Sequence, residues 1–287
     1  MKKLMIITDS NSGITQNQAK ELGIFVVPMP FTVNGEEYFE DISLSQEEFY
    51  EFLKKDADVK TSQPSQFYLE EVWEELLKEN EELLYIPMSS GLSGSCENAK
   101  RYAEKYDGRV QVVDNLRISI TQKESVFQAI SLAKQDKDAK QIKEILEKGK
   151  TKSSIYIMMG VLKYLKNGGR ISPAVAVIGT MLNVKPILRS RGGNFEKFGV
   201  AMSFAQGKKK MIAQIKLELE TEFRSDFEKG KIAISVAHTQ NFEEALKLKQ
   251  ELENEIPNAK VHFVDQLSLS VSCHIGPGAL AVAICEC

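Results

Sequence analysis

Histidine and cysteine are scarce in this sequence, three of the former and four of the latter in 287 residues. Cys96, Cys273, Cys285 and Cys287 include no paired CxxC spacing, so a zinc centre has no ligand set to draw on and no metal or other cofactor is expected. So few cysteines do not make a disulfide framework in a chain of this length, which leaves buried thiols as the expectation. No apolar run approaches the ~18–20 residues that span a bilayer. The opening MKKLMIITDS has two lysines, but its apolar stretch is too short for a secretion signal and is followed by no small-residue cleavage site. A cytoplasmic protein without an integral membrane segment is expected. An excess of either charge is also missing, with 37 basic residues against 40 acidic ones. That near-balance argues against a nucleic-acid surface. Internal repeats and low-complexity segments are absent too.

What is present is hydroxyl-rich. After the apolar run Leu83–Met88 comes Ser89–Ser95, reading SSGLSGS, and then a helical pattern with Cys96, Ala99, Tyr102, Ala103 and Tyr106 on one face. This reads as strand, tight loop and helix N-terminus, with Ser93 as the expected N-cap. Glycines that let the backbone approach closely, spare N–H groups and several hydroxyls make an anion site. Lys60–Ser65 is a second such loop. Ser65 is the expected cap of the helix Phe67–Lys78, which leaves Thr61 and Ser62 without a capping task.

In the first half, apolar runs at Leu4–Ile7, Ile24–Val27, Leu83–Met88 and Val110–Val113 alternate with amphipathic stretches. Thr15 with Gln18 forms a capping box, Ser45 and Asp138 are further N-caps, and Asn34-Gly35 is a hairpin turn. Strands alternating with helices specify an N-terminal parallel-sheet α/β domain over residues 1–150. Ligands in such sheets sit beyond the carboxyl ends of the strands. Those ends are Asp9-Ser10, Ser89–Gly91 and Asp114-Asn115.

A composition shift near Lys148–Ser154 marks the boundary to a C-terminal α/β domain, residues 151–287, with a mixed or antiparallel sheet. Its expected elements are a strand at Ile155–Met159, an apolar helix at Ala174–Leu182, a hairpin about Gly192-Gly193-Asn194, and strands at Ile232–Ala237 and Val261–Val264. The tail ALAVAICEC is so apolar that it must be a central strand or face a cavity. Before it, His274 stands beside a Gly-Pro-Gly turn.

Four segments, TSQPS at Thr61–Ser65, SSGLSGS at Ser89–Ser95, LKNGGRIS at Leu165–Ser172 and HIGPGALA at His274–Ala281, together resemble the DegV family of bacterial fatty-acid-binding proteins. ITDSNSGI at Ile7–Ile14 and VKPIL at Val184–Leu188 fit as well. The resemblance covers essentially the whole chain. It implies a two-domain, non-enzymatic carrier of one long-chain fatty acid such as palmitate, with the acyl chain buried. By that resemblance Thr61 and Ser93 hold the carboxylate, Ser62 and the Gly94 backbone assist, and His274 matches a histidine near the head group. It also implies a separate fatty acid kinase as partner, for which Arg170, Lys185 and Arg189 are candidate docking residues. Three positions depart from the family pattern: Ser95 where threonine is usual, Ala281 where glycine is common, and Asn115 in place of serine.

A serine hydrolase is the competing expectation. Gly91-Leu92-Ser93-Gly94-Ser95 misses the G-x-S-x-G elbow only at its last glycine. Ser93, then Asp114 or Asp265, then His274 follow the chain order of α/β-hydrolases. Against it, no HGG-type oxyanion segment follows an earlier strand. A nucleotide site ranks lower, because both G-x-G-x-x-G and a P-loop lysine are missing.

Overall fold

A computed structural model of the chain describes residues 3–161, 163–166, 169–170 and 184–287. The expected helix Ala174–Leu182 lies outside the described residues. The chain divides into two compact units, one of residues up to Thr151 together with Ser268–Ser270, the other of Lys152–Leu267 and Val271–Cys287.

The first unit is built on a four-stranded parallel sheet of β1 (Leu4–Asp9), β2 (Phe25–Val27), β6 (Glu82–Ile86) and β7 (Val110–Val112), in the order β2-β1-β6-β7. Period-two alternation decides which side chain meets which layer. Ile6, Leu84 and Ile86 pack under α1 (Gln16–Leu22), α5 (Ile120–Ala133) and α6 (Ala139–Lys148). Ile7, Leu83 and Tyr85 pack on the other face against Trp73 of α3 (Gln66–Glu79) and Cys96 and Ala99 of α4 (Ser95–Ala103). The capping boxes at Thr15, Ser45 and Asp138 form as the sequence predicts, Ser45 opening α2 (Gln46–Lys54). The Asn34-Gly35 hairpin joins β3 (Pro30–Val33) to β4 (Glu36–Phe39), both turn residues at positive φ. The segment expected to be loop at Lys60-Thr61 is instead β5 (Val59–Thr61), which pairs with β3 to complete a second, three-stranded sheet.

The second unit has a mixed sheet in the order β10-β9-β8-β13-β11-β12. Its strands are β8 (Ser153–Met158), β9 (Lys185–Ser190), β10 (Glu196–Ala201), β11 (Ile232–His238), β12 (Val261–Gln266) and β13 (Leu280–Glu286). The apolar tail, β13, is central, antiparallel to both β8 and β11. Leu280, Val282 and Ile284 join Ile234, Val236, Met211, Ile215, Leu248 and Leu252 in the core beneath α7 (Phe204–Glu220) and α9 (Phe242–Glu255), with the short α8 (Arg224–Glu228) between them in sequence. Small side chains alternate with these: Ala233, Ser235, Ala237, Ala281 and Ala283 are all buried on the opposite face. His274 lies in a further helix, α10 (Leu269–Ile275), which the sequence pattern did not predict. No helix among the described residues is long and apolar enough to cross a membrane.

Candidate functional site

The order β2-β1-β6-β7 reverses direction between β1 and β6, and a crevice at the carboxyl ends of two such strands is where α/β sheets bind ligands. Asp9 ends β1 there and is wholly buried. Its Oδ1 accepts from the Asn11 backbone N–H at 3.1 Å, Asn11 Nδ2 at 3.0 Å and Gln122 Nε2 at 3.0 Å, and its Oδ2 from the Met88 N–H at 2.8 Å. Burial raises its pKa, and the donors only partly offset that. Through Met88, Asp9 fixes the entry to the Ser89–Ser95 loop. Sequence reasoning missed this hub because Gln122 sits in a polar stretch, Thr121–Ser125, which α5 buries completely.

The loop itself is tied by its own hydroxyls. Ser89 Oγ accepts from the Gly91 N–H at 3.1 Å, and the Ser89 carbonyl accepts from the Leu92 and Ser93 N–H groups. The expected capping role of Ser93 needs correction. Gly94 occupies the N-cap position of α4 in a helical conformation and, having no side chain, makes no side-chain cap. Ser93, one residue earlier, accepts from the Ser95 N–H at 3.2 Å. A hydroxyl that accepts in this way keeps its own proton to give to an acceptor.

Thr61 is half-buried at the end of β5, with Phe31 opposite. The exposed Ser62 donates its backbone N–H to the Pro30 carbonyl at 3.0 Å. Ser65 caps α3 as expected, accepting from the Tyr68 N–H. Gln63 joins this segment to the other loop: its Oε1 accepts from Asn98 Nδ2 at 2.9 Å, and a methyl group placed on Gly94 would lie 3.9 Å from the same oxygen. The structure thus brings the Thr61–Ser65 segment to the first turn of α4.

In the second unit the His274 turn is locked by Thr239. The Thr239 hydroxyl donates to the Gly276 carbonyl at 2.7 Å and accepts from the Ala279 N–H at 2.8 Å, while the Gly278 N–H donates to the Thr239 carbonyl at 2.7 Å. Gly276 and Gly278 have φ of +73° and +79°, and the Gly276 Cα faces the Tyr164 ring so closely that no side chain fits. Burial and, after it, the charge of Arg170 hold the His274 pKa down at about 4, so the ring is neutral near pH 7.

Of the candidate docking cations, Arg170 is the one whose charge acts on His274. Lys185 on β9 lies 4.3 Å from the Phe204 ring centroid, and Arg189 pairs with Glu196 across the hairpin at 3.2 Å. The hydrolase acids are engaged elsewhere. Burial would raise the Asp114 carboxyl, but bonds from Ser90 and Lys100 outweigh it and hold the pKa below its usual value. Asp265 acts on His238, and the charge acting on His274 is a cation. Cys96, Glu97 and Asp114 place possible metal-ligand atoms within 4.8 Å of one another. Lys100 already bridges the two carboxylates, at 2.7 and 3.1 Å, and burial pushes the Cys96 thiol up to about 12.

A DegV family profile, described as covering uncharacterised proteins, matches residues 3–286. A DegV domain-containing protein of Staphylococcus aureus is 30% identical over 284 residues, 99% of each chain. A Thermus thermophilus DegV family protein, solved as a fatty-acid binder, superposes with a TM-score of 0.88 at 26% identity, covering 99% of this chain and 100% of its own. DegV of Bacillus subtilis, a fatty acid binding protein, gives 0.84 at 29% identity over the full length of both chains. By the profile match over residues 3–286 and the 30% identity along the whole length of the staphylococcal relative, this chain belongs to the DegV family.

Proposed function

We propose that this protein binds one long-chain fatty acid, with Thr61 and Ser93 holding the carboxylate and Ser62 and the Gly94 N–H assisting. The observation that carries this reading is the Gln63–Asn98 tie, which sets the hydroxyl segment of Thr61 against the N-terminal turn of α4. First-turn N–H groups have no acceptor within the helix, and the dipole there favours an anion. The fatty-acid binding of the Thermus and Bacillus relatives supports the class of ligand.

The energetics suit a carrier. Burying about fifteen methylenes at ~0.8 kcal/mol each gives an upper bound near 12 kcal/mol. Association and ordering costs reduce it. A buried carboxylate would cancel much of the remainder unless it were hydrogen-bonded. Neutral hydroxyl and N–H donors meet that need and leave the head group transferable. A separate kinase then phosphorylates the presented carboxylate, guided by Arg170, Lys185 and Arg189.

The test is denaturing mass spectrometry of an organic extract of the purified protein beside a Thr61→Ala/Ser93→Ala variant. Near-stoichiometric fatty acid in the wild type and depletion in the variant is the expected result. A wild type that is empty and resists loading with palmitate would sink the proposal. Charge reversal at Arg170, Lys185 and Arg189 that left kinase-coupled turnover intact would remove the docking assignment.

A further inference from the structure

We propose that Arg117 sets the head-group preference of this site: a buried guanidinium with no carboxylate of its own, whose positive charge favours a ligand ending in an anion over one ending in a neutral group. The inference rests on the fatty-acid reading above and adds to it a charge set back from the donors in contact with the ligand.

Arg117 belongs to the segment that follows β7 and crosses the carboxyl ends of β6 and β1. Its carbonyl accepts from the Ser89 N–H at 2.8 Å, and two residues on the Ser119 N–H donates to the Asn11 carbonyl at 3.0 Å. The Ser89 carbonyl in turn accepts from the Ser93 N–H at 3.2 Å. Arg117 thus stands two main-chain hydrogen bonds from Ser93. Leu116 and Ser119 have φ of +57° and +56°, a region that favours glycine, so the crossing is held against local preference.

The Arg117 side chain is 2% exposed. Its Nη1 donates to Ser125 Oγ at 3.2 Å, an oxygen that also takes Asn115 Nδ2 at 2.7 Å. Its Nε is buried and has no hydrogen-bond partner among the described residues. No carboxylate among the described residues pairs with it. Asp9, buried at the end of β1, takes its donors from Asn11, Gln122 and Met88 instead, and Asp114 is held by Ser90 and Lys100. Lys123 and Glu124, buried farther along α5, carry opposite signs and add no net charge. α5 sharpens the imbalance. It starts at Ile120 with no acidic residue in its first turn, so its positive end lies just beyond the cation.

A buried cation without an anion is costly, and an arriving anion offsets that cost. Water screens an interior charge poorly, so Arg117 acts on a head group without touching it. The hydroxyl and N–H donors in contact can bond an alcohol oxygen as well as a carboxylate. The charge behind them separates the two.

The experiment loads lipid-stripped protein with palmitate and 1-hexadecanol, singly and as an equimolar mixture, re-isolates it and quantifies the extracted lipids by mass spectrometry. Two variants separate charge from bond: Arg117→Gln removes the charge and keeps an N–H donor, while Ser125→Ala removes the bond and keeps the charge. The palmitate preference of the wild type is expected to fall about tenfold in Arg117→Gln, with uptake of hexadecanol alone unchanged. It should survive in Ser125→Ala and in Arg117→Lys. An unchanged preference in Arg117→Gln, equal loss of both lipids there, or as large a loss of preference in Ser125→Ala overturns the proposal. Should Arg117→Gln not fold, Arg117→Met takes its place, and loss of the preference in Arg117→Lys ends the proposal by itself. A wild type that loads the two lipids equally also overturns it while leaving fatty-acid binding intact. One that loads neither marks the failure of the fatty-acid reading, and this proposal falls with it.

Discussion

Gln63 and Asn98 share a hydrogen bond of 2.9 Å across 35 residues of chain, joining the segment after β5 to the first turn of α4. Cutting this link should loosen both hydroxyl loops. Gln63→Ala and Asn98→Ala are each expected to cost about 1 kcal/mol of stability. The double variant should cost less than their sum, because the second change removes a partner already lost. Urea denaturation of the four proteins measures the coupling, and strict additivity would contradict it.

Asp9→Asn replaces a four-fold acceptor with a side chain that must turn an NH₂ group toward existing N–H donors. A loss of about 2–3 kcal/mol is expected, since a buried donor or acceptor is left unsatisfied. Equilibrium unfolding gives the number. Retention of co-purified lipid reports whether the Ser89–Ser95 loop has moved with it.

His274 should titrate near 4 in ligand-free protein, against 6.5 for the ordinary group. Its folded pKa is depressed, so the stability it confers is present above 6.5 and is lost as pH falls through about 4. His274→Gln should therefore flatten the stability profile in that window. Nitrogen NMR of the imidazole follows the midpoint directly.

Gly160→Ala places a methyl group 2.5 Å from backbone atoms of Pro277 and Gly278. Backbone cannot step aside as a side-chain end can, so a cost of about 1–3 kcal/mol is expected. Thermal unfolding that matched the wild type would show that the two segments are less tightly apposed.

Much of the scaffold could be read from residues alone because its signals are local. Thr15, Ser45, Ser65 and Asp138 cap where hydroxyl or carboxylate meets a periodic stretch, and Asn34-Gly35 turns where positive φ is needed. What escaped is set by distant partners. β5 is three residues long and takes its identity from β3. Polar Thr121–Ser125 is buried because Gln122 finds Thr8, Asp9 and Ile86, which nothing in its own helix reveals. α10, with Ser270, Ser272 and the β-branched Val271 within seven residues, has weak helix propensity, and its first N–H is taken by Glu40, more than two hundred residues earlier in the chain. Among the candidate residues, Thr61 and Ser62 stood out as hydroxyls without a capping task, and Ser93 as one of several in a hydroxyl-rich loop. Gln63 and Glu40 carried no such mark.

The position of β13 has a consequence for synthesis on the ribosome. β8, β9 and β10 can zip together as they emerge, and β11 and β12 can pair later. Neither group touches the other within the sheet until Leu280–Glu286 is inserted between them. Until then two strand edges, on β8 and β11, stand open to other chains, the condition under which nascent proteins aggregate. The second unit is thus committed at its last strand, whereas the parallel sheet of the first has all four strands by Val112. A nascent chain stalled anywhere between these points carries a complete first sheet and a second one still in halves.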